Sequence, residues 1–285
     1  MSSDTSRRRV GLIGSPLRRR HSKVMHDAAF DAAGVDARYE LHERDADGLG
    51  AFVAGVREDP AWLGFQITAP HKQAVVPLLD DVDDVARRIG AVNSVARSEE
   101  GRLVGFNTDA PGFAAAVAAD LDVNLQGADV VLVGAGGAAR AVAMACAQTG
   151  TASLVIANRT ASAAAELAAE LPDATGLGLD DPRLPGCLRR ADLLVNATTV
   201  GMTSGDTAVD PTVLMPGAAV FDLVYVPPVT PLLAAAAAHG LSTANGSGML
   251  VAQAAIAWQR WTGAADPTAV MRPALDAMVA DGQSP

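Results

Sequence analysis

Short apolar runs alternate along the chain with longer stretches whose apolar positions recur at helical spacing. In the first third the runs Val10-Gly-Leu-Ile-Gly14, Ala37-Arg-Tyr-Glu-Leu41 and Leu63-Gly-Phe-Gln-Ile67 predict strands, with helices expected over 24–33, 46–57 and 71–88. From 129 onward the alternation becomes regular. Strands are expected at 129–133, 153–157, 192–196 and 219–223, and helices at 137–149, 161–170 and 230–239. After Asn245-Gly-Ser-Gly248 a long helical pattern runs through Trp261, stops at Thr262-Gly263 and gives way to a last helix over 267–280. Strand-helix alternation of this kind predicts an α/β protein with right-handed crossovers. Three segments are expected: an α/β domain over 1–108, a second α/β domain over 109–244, and helices over 245–285 that return to the first domain to close a cleft.

The sharpest local feature is Val130-Val-Leu-Val-Gly134-Ala135-Gly136-Gly137-Ala138-Ala139-Arg140. An apolar strand enters a glycine turn and an alanine-rich helix leaves it, which is the pattern of a dinucleotide-binding, Rossmann-type unit. Gly134 permits the turn, Gly136 lets backbone approach a pyrophosphate, and Ala139 stands where helix packs on strand. The free N–H groups of the helix start attract phosphate. At the end of the next strand an NAD site would place Asp or Glu against the ribose. This chain has Asn158-Arg159-Thr160, and an arginine there suits a 2′-phosphate, so NADP is expected, with NAD possible.

Composition narrows the remaining classes. No apolar run reaches the ~18–20 residues of a membrane span. The Arg7-Arg8-Arg9 cluster precedes an apolar segment that meets Arg18-Arg19-Arg20 too soon for a secretory leader. The only cysteines are Cys146 and Cys187, and the five histidines show no ligand spacing, so neither disulfides nor a metal site is expected. A cytoplasmic protein, monomeric or homodimeric, follows. The net charge of −10 argues against nucleic-acid binding.

Of 22 basic residues only Lys23 and Lys72 are lysine. A lysine can release its proton in a protein and an arginine cannot, so Lys72, just after Gly64-Phe-Gln66-Ile-Thr68-Ala-Pro70-His71, is a candidate proton donor. It equally suits a solvated helix start, and His71 reads as a surface or capping residue. Asn93 and Asp109 each follow a short apolar segment, and each alone reads as a turn or cap.

Taken together, these segments resemble the shikimate/quinate dehydrogenase family over about residues 10–265. The resemblance is carried by Gly-Phe-Gln-Ile-Thr-Ala-Pro-His-Lys (64–72), Gly-Ala-Val-Asn (90–93), Gly-Phe-Asn-Thr-Asp (105–109) and Gly-Ala-Gly-Gly-Ala (134–138). It continues through Asn-Arg-Thr (158–160), Asn-Ala-Thr-Thr-Val-Gly-Met (196–202), Asp222-Leu-Val-Tyr225, Pro227, Thr230-Pro-Leu-Leu233 and Asn245-Gly-Ser-Gly-Met-Leu-Val-Ala-Gln253. It implies reversible NAD(P)-dependent reduction of a ring ketone on a cyclic hydroxy-carboxylate, with 3-dehydroshikimate to shikimate the leading reaction. By motif match Lys72 and Asp109 form the catalytic pair. Thr68, Asn93 and Gln253 would hold ring hydroxyls, and Ser22 and Tyr225 the carboxylate. Gly134 to Ala138, Asn158, Arg159, Thr160, Thr198, Gly246 and Met249 would contact the cofactor.

Four positions depart from the family pattern. Arg20 and Lys23 replace a hydroxyl residue and a proline at the carboxylate end, and Gln66 replaces an asparagine. Ala163 replaces a further basic residue, which weakens the NADP reading. Arg20 either binds a carboxylate bidentately, pairs with Asp27, or swings to solvent while a neighbour supplies the hydroxyl. Alternatives to shikimate are therefore quinate or an amino-substituted analogue. An alternative of another class is a non-catalytic NADP-binding regulatory paralogue.

Overall fold

The computed structural model describes residues 7–17 and 20–280. Arg18 and Arg19 of the second arginine cluster lie outside the described residues. In chain order the elements of the first part are β1 (Arg8–Gly14), α1 (His21–Ala33), β2 (Ala37–Glu43), α2 (Ala46–Glu58), β3 (Gly64–Ile67), β4 (Asp81–Val82), α3 (Asp84–Ile89), β5 (Ser94–Arg97) and β6 (Leu103–Phe106). The second part holds α4 (Asp109–Leu121), β7 (Asp129–Val133), α5 (Gly137–Thr149), β8 (Ser153–Asn158), α6 (Ala161–Ala169), β9 (Ala174–Gly178), α7 (Leu184–Leu188), β10 (Leu193–Asn196), β11 (Ala219–Asp222), α8 (Pro231–Ala238) and β12 (Ser242–Asn245). The chain ends with α9 (Ser247–Thr262) and α10 (Thr268–Ala280).

These elements form two compact units, one of residues 1–108 and 253–285 and the other of 109–252. The boundary falls inside α9, eight residues later in the chain than the sequence pattern suggested.

The first unit carries a mixed six-stranded sheet in the order β2-β1-β3-β5-β6-β4. β1 is parallel to β2 and β3, whereas β5 runs antiparallel to both β3 and β6. The helix expected over 71–88 forms only at its end, as α3. Pro77 lacks the N–H a helix interior needs, and the aspartates are taken up by N–H groups outside such a helix. Asp80 accepts from Leu103 N–H at 2.7 Å, and Asp83 caps α3 by accepting from Ala86 N–H at 2.9 Å.

α10 packs on α1, and the tryptophans of α9 seal the interface beneath it. Trp261 Nε1 donates to Val95 O at 2.8 Å, and Phe30 meets Trp258 at 5.0 Å between ring centroids. Gly64 has to be glycine for this packing, because a Cβ there would lie 2.1 Å from Val95 O and 2.4 Å from Trp261 Nε1.

His26 is enclosed by Tyr39, Trp261 and Phe30. Burial drives its pKa down to about 3, only partly opposed by the Gln66 amide. The ring is therefore neutral when folded and cationic when unfolded at mildly acid pH. Below the ordinary histidine value of ~6.5 the unfolded chain binds a proton that the folded chain refuses, so stability falls with pH. This one residue should contribute a slope of roughly 1.4 kcal/mol per pH unit between about 6.5 and 3. Urea unfolding of the protein and of a His26→Gln variant isolates the term. The stability difference between them should narrow as pH falls, and a constant difference would contradict it.

The second unit is an all-parallel sheet in the order β9-β8-β7-β10-β11-β12. The first strand of this unit, β7, lies at the centre, with β8 and β9 on one side and β10, β11 and β12 on the other. The order thus reverses between β7 and β10, the place where an open α/β sheet leaves a crevice at its carboxyl edge. An apolar layer of Val131, Val133, Leu194, Val220 and Leu232 fills one face.

Candidate active site

In the first unit, the carboxyl end of β3 meets the residues that flank β5 and β6. Ile67 N–H donates to Asn93 O at 2.8 Å, and Asn93 N–H donates to Phe106 O at 3.2 Å. The buried Asn93 side chain is then held on both sides. Its Nδ2 donates to Thr108 Oγ1 at 3.0 Å, and its Oδ1 accepts from Thr108 N–H at 2.9 Å. Asn107 Nδ2 donates to Ala91 O at 2.9 Å.

Thr68 joins this edge because its N–H donates to Ile13 O at 2.9 Å. The close approach requires a glycine at the end of β1, since a Cβ on Gly14 would stand 2.3 Å from Thr68 Cγ2. Lys72 follows on a tight turn through the cis Ala69-Pro70 bond. Its carbonyl accepts from Val92 N–H at 2.8 Å, which ties it to the same edge. His71, expected at the surface or as a cap, is buried, and its Nε2 donates to Arg44 O at 2.7 Å.

The structure therefore brings together Thr68, the Lys72 backbone, Asn93 and Thr108. Asp109 is the next residue, buried at the start of α4, where the helix dipole favours a carboxylate. Asp109 opens the second unit, whereas Gln253, half-buried on α9, belongs to the first.

At the amino end of α1, Arg20 occupies the N-cap position, makes no side-chain cap bond and is exposed. Asp27, an expected alternative partner, is instead held by Lys23 Nζ at 2.6 Å and by Tyr39 N–H at 3.3 Å. Ser22 is half-buried and hydrogen-bonds the Tyr39 phenol.

The second unit presents a cradle at its central turn. Gly134 has φ +119°, and a Cβ there would lie 3.1 Å from Ala197 O. Nothing stands within 4 Å of a Cβ placed on Gly136 or Gly137, so the start of α5 faces open space that side chains would fill. Ala139 is fully buried against the sheet. At the end of β8, Asn158 Nδ2 donates to Thr160 O at 3.1 Å, and Arg159 is exposed. This arrangement fits a dinucleotide phosphate at the α5 start, with Arg159 beside the ribose position.

The far side of the turn is braced by buried polar groups whose role in shaping it was not read from the sequence. Asn196 Oδ1 accepts from Thr198 N–H at 3.1 Å and from its hydroxyl at 2.7 Å. Asn196 Nδ2 donates to Asp222 Oδ1 at 2.9 Å, and Asp222 also accepts from Val224 N–H and, at 2.6 Å, from the Thr230 hydroxyl. Burial raises the Asp222 pKa, opposed by these donors. The signal was present in the sequence, because polar residues at the ends of apolar strands must find partners when buried. Tyr225 is half-buried after this corner, Gly246 has a Cβ position only 2.1 Å from Leu223 O, and Met249 is buried in the same unit.

A strand order that reverses beside a glycine turn, joined to a unit with a polar strand-end cluster, defines a dinucleotide-dependent oxidoreductase architecture. Comparison with known proteins specifies it further. The family model described as "Shikimate dehydrogenase substrate binding domain" matches residues 12–95. "Shikimate / quinate 5-dehydrogenase" matches 116–203 and "Shikimate 5'-dehydrogenase C-terminal domain" matches 246–275. A shikimate dehydrogenase (NADP(+)) of Citrifermentans bemidjiense is 42% identical over 284 residues, 97% of each chain.

Among solved structures, shikimate 5-dehydrogenase from Thermus thermophilus, in complex with NADP(H) and shikimate, is 36% identical with a TM-score of 0.83. The match covers 95% of this chain and 99% of that one. The 5-ketofructose reductase of Gluconobacter sp. strain CHM43 is 37% identical with a TM-score of 0.84 and the same coverage. The chain belongs to the shikimate/quinate dehydrogenase family, and it is an oxidoreductase acting on a CH–OH group.

Proposed function

We propose that this protein catalyses the reversible NADP-dependent reduction of 3-dehydroshikimate to shikimate. The observation that carries the reading is the strand-end cluster of the first unit, where Asn93 fixes Thr108, and through the chain Asp109, to the edge that bears Thr68 and Lys72. Support for the cofactor comes from the open glycine cradle and from exposed Arg159 in place of an acid.

The free N–H groups at the α5 start would hold the dinucleotide, which when bound would supply a hydride for the ring ketone. Lys72 donates its proton to the oxygen as negative charge develops there, and Asp109 keeps the ammonium in place and stabilises its charge. In the oxidative direction neutral Lys72 takes the hydroxyl proton. Asn93, Thr68 and Gln253 hold ring hydroxyls, so an analogue lacking one leaves a polar group unpaired and is rejected. Ser22 and Tyr225 hold the carboxylate, and Met249 would pack against the nicotinamide ring of a bound cofactor. A cytoplasmic location accompanies this reading, supported by Cys146 and Cys187, both free thiols.

Quinate is the second reading, favoured by the altered carboxylate end at Arg20 and Gln66. Steady-state rates on shikimate, quinate and aminoshikimate with NADP and with NAD separate the two. Highest kcat/KM on shikimate with NADP supports the proposal, and preference for quinate overturns its substrate.

Arg20 gives a further expectation. It is exposed, so its contact with a carboxylate is screened and worth little. Arg20→Ser should change the shikimate-to-quinate ratio of kcat/KM by no more than about three-fold. A change beyond about ten-fold would put the guanidinium on the substrate.

A further inference from the structure

Beneath the amino end of α1 lies a hydrogen-bond chain that no step above uses. Tyr39 is almost wholly buried on β2, and its hydroxyl donates to Gln66 Oε1 on β3 at 2.5 Å. The Ser22 hydroxyl bonds the same phenol oxygen. The Tyr39 ring is clamped by His26, stacked at 4.9 Å and 6°. Its backbone is clamped too: Lys23 Nζ donates to Tyr39 O at 2.9 Å.

A phenol has one hydrogen and can both donate and accept. With that hydrogen spent on Gln66, the oxygen can only accept from Ser22, and both neighbours are fixed in direction. Burial also pushes the Tyr39 phenol far above its ordinary range, so the chain does not ionise at working pH. His26 stays neutral for the same reason. Thr68, one residue past the end of β3, has the same parity as Gln66, and Ser22 belongs to the helix next to Tyr39.

The geometry points to Tyr39 as a positioning residue: through one buried hydroxyl it orients Ser22 and Gln66, and so sets how the site receives the substrate's carboxylate. This rests on the reaction proposed above, which puts Ser22 against the carboxylate. Gln66, a departure from the family's asparagine, then has a reason to be longer, since its amide must reach the phenol. The reacting oxygen of the substrate is served by Lys72 and not by Tyr39, so loss of the Tyr39 hydroxyl should weaken binding and spare turnover.

Steady-state kinetics of Tyr39→Phe with NADP and shikimate tests this. KM for shikimate should rise about ten-fold, the order expected for one lost bond to a charged group, with kcat and the KM for NADP within about two-fold. In a Ser22→Ala background the same change should cost less than about two-fold, because its target is gone. Val53→Ala, on the buried face of α2, controls for lost stability: it should lower Tm without moving KM. Unchanged KM in Tyr39→Phe, an equal fall in kcat, or an undiminished effect beside Ser22→Ala would overturn the assignment. Wild-type protein inactive on shikimate would instead overturn the reaction itself, and this assignment with it.

Discussion

Replacing Lys72 by alanine should lower kcat by about a thousand-fold while the Kd for NADPH changes less than about two-fold. The two effects separate because the residues involved belong to different units. Lys72 lies in the first unit, whereas Gly134, Gly136, Arg159 and Met249 all lie in the second. Proton transfer to a developing alkoxide is worth roughly 10²–10⁴ in rate, and no other group on the Asn93 edge is an ammonium. Lys72→Arg should be almost as slow, since arginine keeps the charge and cannot give up the proton. Single-turnover kinetics with 3-dehydroshikimate and a fluorescence titration of NADPH read both quantities. A fall of less than about ten-fold in Lys72→Ala, or an arginine variant near wild type, would remove Lys72 from the proton step.

The second large effect concerns the cofactor. Arg159→Ala should raise the KM for NADP by about ten- to thirty-fold and leave the KM for NAD nearly unchanged, because only NADP carries the 2′-phosphate. Two features set the size. Arg159 is exposed, so its pairing is screened, and Ala163 supplies no second cation. The wild-type preference for NADP should accordingly shrink as salt is raised, whereas a preference built by a buried pair would hold. Equal loss on both cofactors would assign Arg159 to the fold rather than to the phosphate.

The parts legible in the sequence were those with a strong local signature. The run from Val130 to Ala139 announced strand, turn and helix, and the structure adds the φ of +119° at Gly134 and the open space at Gly136 and Gly137. The two edge strands of the second unit were not legible, although the edge strand β2 of the first unit was. β9 reads Ala-Thr-Gly-Leu-Gly, poor in strand formers, and Gly176 is there because the α6 backbone passes 2.4 Å from where its Cβ would be. β12 reads Ser-Thr-Ala-Asn and is equally unmarked.

The stretch 71–88 misled because its apolar positions resembled one helix. Capping by Asp83 and the break at Pro77 divided it between turns, a short strand and α3. Among site residues, Lys72 and Asp109 stood out by type and motif. Tyr39 did not, although its parity with buried Ala37 on β2 implied a phenol needing a partner indoors. Long-range partners such as Gln66, Asn196 and Asp222 lie far apart in the chain, and spacing alone does not pair them.

Hydride transfer to the ring ketone of a carboxylate substrate is read directly by one competition. NADPH carrying deuterium at its transferable position is offered with equal 3-dehydroshikimate and 5-ketofructose, and the products are weighed by mass spectrometry. Deuterium should appear in shikimate, with the neutral ketosugar left mostly unreduced. Label in the reduced ketosugar alone would assign the protein to a different substrate. Label in neither product, with NADPH bound, would make it a nucleotide-binding regulator.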